Sequence, residues 1–266
     1  MKKLIALLMA ALLIVACFAG CGAKEAKKET IVVGYTIYAP MNYMDEDGET
    51  LIGFDTDLAK AVFEGLGYDV MFQEIDWDSK YTDLNSDTID CVWNGFTCNT
   101  SDDDGVARAD KVDFSYNYME NRQVIVVKKD SGITKAADLK GKTGAAEAGS
   151  AGETYAKSFD GIIYKGCPKQ TDCLNEVNAM TANFAVLDAQ LAKSYCGKGN
   201  YADLMIIDDL SSDVEYYAIG FKKDSELTAK VNAQLVKLAE DGTIKKIAEN
   251  YGVLNTTILD YSDQVK

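Results

Sequence analysis

The sequence predicts an α/β protein, built from parallel sheets layered with helices. Three observations carry this. Short β-branched runs recur along the chain, as in Ile31-Val32-Val33 and Val124-Ile125-Val126-Val127. Stretches with apolar residues at helical spacing lie between them. The chain has 266 residues, 47% apolar and 26% charged, which is ordinary globular usage and suits one large domain or two modest ones.

Taken in order, residues 31–35 form a first strand. Asp47-Gly48 marks a hairpin turn. Asp55 or Thr56 caps a helix that carries Leu58, Ala61 and Val62 on one face and ends at Gly65 or Gly67. Residues 68–74 alternate as a strand, 78–84 form a short helix, and 89–93 a buried strand. Further strands are expected at 123–128, 143–146, 183–188, 204–207 and 216–222. Ser150 caps a helix, and 172–181 and 189–195 are helical. Residues 225–241 are amphipathic through Leu227, Val231, Leu235 and Leu238, and Gly242 ends that helix. Thr243 caps the last one, which carries Ile244, Ile247 and Ala248.

The first twenty residues read as a secretory signal. Lys2 and Lys3 precede an uncharged apolar run, residues 4–19, shorter than the roughly 20 residues a spanning helix needs. Phe18-Ala19-Gly20-Cys21 resembles a bacterial lipobox, with the Cys21 thiol lipidated and residues 21–29 forming a polar tether; Ile14-Val15-Ala16-Cys17 is the alternative. The mature chain is thus expected outside the cytoplasm, on the outer face of the membrane. Removing residues 1–20 takes two lysines and no acids, moving the net charge from −15 to −17. So acidic a surface repels phosphate backbones and excludes nucleic acid as a partner. Cys91, Cys98, Cys167, Cys173 and Cys196 remain, an odd number with no CxxC spacing. Cys91 reads as a buried thiol, and Cys167 and Cys173, flanking Pro168, are close enough in sequence to pair.

The chain contains no histidine, which removes Ser-His-Asp and Cys-His nucleophile pairs and His-ligated zinc. Gly141-Lys142-Thr143 lacks the first glycine of a phosphate loop, since position 136 is alanine. Gly197-Lys198-Gly199 follows a helix rather than a strand. Asp102-Asp103-Asp104-Gly105 fails as a calcium loop, because the twelfth position would be Lys111. No metal or cofactor is expected.

A set of motifs then appears in order: Tyr38-Ala39-Pro40; Ile52-Gly53-Phe54-Asp55-Thr56-Asp57-Leu58-Ala59; Ile89-Asp90-Cys91-Val92-Trp93-Asn94-Gly95-Phe96-Thr97; Val112-Asp113-Phe114-Ser115. Asp138-Leu139-Lys140-Gly141-Lys142, Ala148-Gly149-Ser150 and Glu240-Asp241-Gly242-Thr243 follow. Together they resemble the polar amino-acid substrate-binding proteins of bacterial ABC importers, solute-binding family 3, over about residues 30–252. The resemblance implies a two-lobed, periplasmic-binding-protein-like fold of type II with two crossing hinge strands and the ligand in the cleft. Lobe one would be 30–119 plus 217–266 and lobe two 120–216, crossing near 119–121 and 215–217. It implies a monomer that is not an enzyme. Its partners would be a free amino acid, an ABC permease with its ATPase subunits, and the membrane through the lipid anchor. Related exported dehydratases on this fold are the enzymatic alternative.

An α-amino acid is a zwitterion, and burying it costs several kcal/mol per ion unless each charge is paired. Its carboxylate calls for a guanidinium fork and backbone N–H groups at a helix start. Arg108 lies five residues before Asp113, as the family's carboxylate-binding arginine does, and it is one of two arginines in the chain, with Arg122. Here residues 100–107 intervene where the family has two residues. Ser150 and Ala151 would supply the N–H groups. Asp188, ending an apolar strand, matches the family's ammonium-binding aspartate, with Thr97 offering its hydroxyl, Gly95 its carbonyl and Asn94 beside them. Tyr38 resembles the aromatic that packs on the ligand side chain. Tyr35, Lys80 and Glu147 fall where side-chain contacts arise: Glu147 favours a cationic or amide-bearing ligand, Lys80 an acidic one. Trp77 reads as core.

Overall fold

The computed structural model describes residues 28–265. The signal segment and both candidate lipidation cysteines, Cys17 and Cys21, lie outside the described residues. No helix among the described residues is long and apolar enough to cross a membrane.

Two five-stranded sheets dominate the described residues. In the first, β1 (Thr30–Tyr35) runs parallel to both β4 (Asp69–Glu74) and β5 (Cys91–Val92), with Ile31 opposite Val70 and Val33 opposite Cys91. Its far side is completed by β14 (Gly220–Phe221) and β6 (Asp113–Phe114). Helices α1 (Phe54–Gly65), α7 (Glu226–Glu240) and α8 (Thr243–Asn250) cover it, burying Leu58, Val62, Val231, Leu235 and Ile244. Between β1 and α1, β2 (Tyr43–Met44) and β3 (Leu51–Ile52) pair as the hairpin that Asp47-Gly48 predicts.

The second sheet has the order β10-β9-β11-β8-β12. Here β9 (Thr143–Glu147) is parallel to β10 (Ile163–Cys167) and β11 (Phe184–Asp188), while β8 (Gln123–Lys128) and β12 (Leu204–Ser211) complete it. Ile125, Val127, Ala146, Phe184 and Val186 fill one face. Between the two sheets, β7 (Met119–Asn121) and β13 (Glu215–Tyr217) form an antiparallel ribbon with Glu215 opposite Asn121.

Several expectations change. The sheets are mixed rather than parallel: β14 is antiparallel to β5 and β6, and β8 to β11 and β12. The reason is topological, since the chain enters and leaves the second sheet through the ribbon and the strand after each crossing, β8 and then β14, arrives reversed. The single strand expected at 216–222 is accordingly two, β13 in the ribbon and β14 in the first sheet. The strand expected at 89–93 keeps its ladder only at Cys91–Val92. Neither Asp55 nor Thr56 caps α1. Gly53 does so without a side chain, and Asp55 turns inward, fully buried. Thr243 is likewise the first residue of α8, with left-handed Gly242 as cap. Ser150 does cap α4 (Ala151–Lys157), its hydroxyl accepting from the Glu153 N–H.

Candidate functional site

The parallel strands aim their C-terminal ends at the space between the sheets, where α/β proteins place ligands. Glu147 ends β9 and Asp188 ends β11. There a small cavity is walled by Thr97, Arg108, Asn94 and Gly95 on one side and by Glu147, Ser150, Ala151 and Asp188 on the other. Eight of the ten ligand-contact residues read from the sequence thus converge. Trp77 and Gln170 also line the cavity.

Arg108 begins the short helix α3 (Arg108–Lys111). Its guanidinium is almost fully buried and three of its five N–H groups are engaged. Nε donates to Asp102 Oδ1 at 2.7 Å, Nη1 to the Thr97 carbonyl at 3.2 Å, and Nη2 to the Gly149 carbonyl at 3.1 Å. One hydrogen on each terminal nitrogen is left over, the pattern that grips a carboxylate through both oxygens. Asp102 also accepts from Lys111 at 2.8 Å and from the Tyr81 hydroxyl at 2.6 Å. Burial would raise its carboxyl, but Arg108 and Lys111 outweigh that and hold it at about 2.

The Gly149 carbonyl, on the second sheet's side, takes two cations from the first: Lys80 Nζ donates to it at 3.0 Å beside Arg108. Gly149 adopts φ +70, and a Cβ there would sit 2.9 Å from the Asp78 carboxylate, so glycine is required for this close approach. Lys80 also donates to the Trp77 carbonyl at 3.2 Å and lies over the Tyr81 ring. Burial and the neighbouring Arg108 pull its ammonium down to about 7. Ion pairs Asp103–Lys157 and Glu74–Lys169 join the lobes at the exposed lips, where solvent leaves such pairs worth little.

Opposite Arg108, Asp188 is buried in a cage of amides. Its Oδ1 accepts from Asn121 Nδ2 and Gln123 Nε2, each at 2.6 Å, and its Oδ2 from Gln170 Nε2. The Gln170 side-chain oxygen, Oε1, accepts the Asp188 backbone N–H at 3.0 Å. Burial raises the Asp188 carboxyl, and the amides only partly offset it. Glu147, fully buried, is pushed up to about 8 by burial and by Asp188, and its Oε1 has no protein partner.

The remaining residues play narrower parts than their sequence positions suggest. Asn94 spends its amide behind the cavity, donating to Thr36 O at 2.9 Å and Asn42 Oδ1 at 2.6 Å and accepting from Thr36, which leaves its backbone for the cavity. Gly95 adopts φ +59 with the Tyr38 ring 2.7 Å from where a Cβ would be. Its N–H donates to Asp55 Oδ2 at 3.0 Å. The Ser150 hydroxyl is used by Glu147 O and Glu153 N; the first turn of a helix leaves its N–H groups without intrahelical acceptors, and Ala151 carries one of these at the wall. Tyr38 and Tyr35 are not among the lining residues. Tyr38 is buried behind Gly95, its hydroxyl 2.6 Å from that of Tyr217. Tyr35 stands edge-on to Phe72 at 6.3 Å. Arg122, the other arginine, lies away from the cavity and donates to Ser212 O. Cys91 is a buried free thiol, and Cys167 and Cys173 are buried and not disulfide-bonded.

Gln170 has no motif of its own in the sequence, following only a Pro-Lys pair. Trp77 is both core, packed edge-on to Phe96 at 5.2 Å, and wall.

The sequence pattern of the family described as "Bacterial extracellular solute-binding proteins, family 3" matches residues 31–253. The arginine-binding extracellular protein ArtP of Bacillus subtilis is 31% identical over 258 residues, covering 94% of this chain and 98% of that protein. The L-cystine-binding protein TcyA of the same organism is 30% identical, covering 85% of this chain and 82% of its own length. An ABC uptake transporter substrate-binding protein from Streptococcus pneumoniae, solved with bound histidine, superposes with a TM-score of 0.74 at 34% identity, covering 84% of this chain and 92% of that one.

Proposed function

This chain belongs to the bacterial extracellular solute-binding proteins, family 3, and on that premise we propose that it binds a polar L-amino acid between its lobes for delivery to an ABC importer. One observation supports this above all. A guanidinium with two uncommitted N–H groups and a buried carboxylate face one small cavity from opposite lobes, and those are the two charges that a zwitterion requires. Arg108 and the Ala151 N–H take the carboxylate; Asp188 and Thr97 take the ammonium. The ligand joins the lobes because its two charges have partners on both, so it favours the closed state by its difference in affinity for the two states. The reading involves binding alone, with no bond made or broken.

The ligand's side chain is directed at Glu147. Lys80 does not wall the cavity and gives two of its three hydrogens to carbonyls, while the Glu147 carboxyl at the wall keeps an oxygen unpartnered. A cationic or amide-bearing side chain supplies the donor that this oxygen lacks, which accords with the arginine and histidine named for relatives. Lipidation at Cys21 would hold the binding protein beside its permease at the outer face of the membrane, with the ATPase subunits on the other side.

A thermal-shift screen of the purified mature chain against the twenty amino acids tests the reading, since a ligand bound only by the folded state raises the melting temperature by mass action. A rise with one or a few polar amino acids is expected. No shift with any of them at millimolar concentration contradicts it.

A further inference from the structure

The ribbon carries an acid outside the cavity wall that touches both halves of the ammonium site. Glu215, on β13, is buried. Its Oε2 accepts from Thr97 Oγ1 at 3.2 Å, from Gln123 Nε2 at 2.9 Å and from Asn121 Nδ2 at 3.3 Å. Those same two amide nitrogens donate to Asp188 Oδ1 at 2.6 Å each. One carboxylate oxygen on the ribbon therefore meets Thr97 from the first lobe and the amides that hold Asp188 in the second.

A threonine hydroxyl has one hydrogen and two lone pairs. With its hydrogen given to Glu215, Thr97 presents only lone pairs to the cavity and accepts from a donor. Resting on the reading that Thr97 and Asp188 take the ligand's ammonium, we propose that Glu215 is a positioning residue which fixes Thr97 as an acceptor and ties it to the amide cage of Asp188. Glu215 does not itself line the cavity.

The device works only while Glu215 is ionised. Protonating Glu215 removes the charge that draws the Thr97 hydrogen onto Oε2, and the freed hydrogen can then turn toward the ammonium, where it repels. Burial, then the Asp188 carboxylate, pushes Glu215 up to about 7, so the exchange falls near neutral pH. The groups that face Glu215 are Thr97, Asn121, Gln123, the Asp188 carboxylate and the phenols of Tyr38 and Tyr217, whose own ionisation Glu215 opposes. No cation neutralises it among its hydrogen-bond partners in the described residues.

The test is calorimetric titration of the mature protein with each of the twenty L-amino acids, taking those that wild type binds. Wild type, Glu215→Gln, Thr97→Ala and the double variant are compared between pH 6 and 8. Glu215→Gln is expected to weaken binding tenfold or more at pH 8 and to lessen the loss of affinity on going to pH 6. Added to Thr97→Ala, it should cost much less than it does alone. Thr97→Ala should by itself lessen the same pH-dependent loss, which decides the matter even if Glu215→Gln fails to fold. Additive losses, or variants that keep the full wild-type pH-dependence, overturn the positioning role while leaving the amino-acid reading intact. Wild type that binds none of the twenty overturns the reading beneath it and the proposal with it.

Discussion

Asp102 Oδ1 accepts the Nε hydrogen of Arg108 at 2.7 Å, and Asp102 belongs to the segment, residues 100–107, that separates Arg108 from the family's usual spacing. A residue of this segment thus orients the arginine. With Nε anchored behind and one hydrogen of each terminal nitrogen held by the Thr97 and Gly149 carbonyls, the fork has a single direction left in which to donate.

Replacing Arg108 by alanine is expected to abolish amino-acid binding in a folded protein, because losing one partner of a buried charge pair costs about 2–5 kcal/mol. Asp102→Ala should cost less, about tenfold in affinity or roughly 1.4 kcal/mol, since the fork remains and only its orientation is freed. Titration calorimetry reads both. Equal affinity in Arg108→Ala and wild type would remove this residue from the site.

Asp188→Asn keeps the shape and removes the charge. It is expected to weaken binding while leaving the ligand-free melting temperature within a few degrees, because burial disfavours the charge that the substitution removes. Small-angle scattering should show wild type compacting with ligand and the variant failing to do so at the same concentration. Unfolding of the variant without loss of affinity per folded molecule would make Asp188 a structural residue.

Stability should depend on pH through Asp55. Its Oδ2 accepts from the Gly95 N–H and the Tyr118 hydroxyl, its Oδ1 has no partner, and burial pushes it up to about 7. An unfolded aspartate titrates near about 4. The folded chain therefore holds a proton between those values that the unfolded chain has released. The stability this contributes is complete below about pH 4 and is lost as pH rises through about 7. Wild type should melt at a lower temperature at pH 8 than at pH 5.5, and Asp55→Asn should show a smaller fall. Identical slopes in the two proteins would exclude Asp55 as the source.

Cys21→Ser is expected to release the protein from the membrane fraction or leave it unprocessed. Normal anchoring in that variant, with loss in Cys17→Ser, would move the lipidation to Cys17.

How much of this was legible in the sequence depended on whether local chemistry or long-range closure decides a feature. Ser150 as a helix cap, the hairpin at Asp47-Gly48 and the strand 123–128 are local, and each follows from residue type and spacing. Arg108, Thr97 and Asp188 are candidates because a family resemblance supplies the pairing across the cleft that spacing cannot, and the structure brings the three to one cavity. The direction of β8 and β14 was not legible, since nothing local distinguishes a strand approached from the ribbon from one approached through a helix. Asp55 looked like a cap because it stands at a helix start; only the fold shows that Gly95 needs its carboxylate more. Gln170 and Asn121 reach Asp188 from separate segments, Glu215 is joined to it only through the Asn121 and Gln123 amides, and no motif links them.

The central claim is that one ligand is held by its carboxylate at Arg108 and by its ammonium at Asp188. The most direct measurement is titration of wild type with the amino acid it binds best, with that ligand's α-amide, and with its desamino analogue. Each analogue removes one charge and leaves the side chain. The account expects both to bind at least about thirtyfold more weakly, the low end of the cost of an unpaired buried charge. Either analogue binding as tightly as the parent amino acid would contradict it.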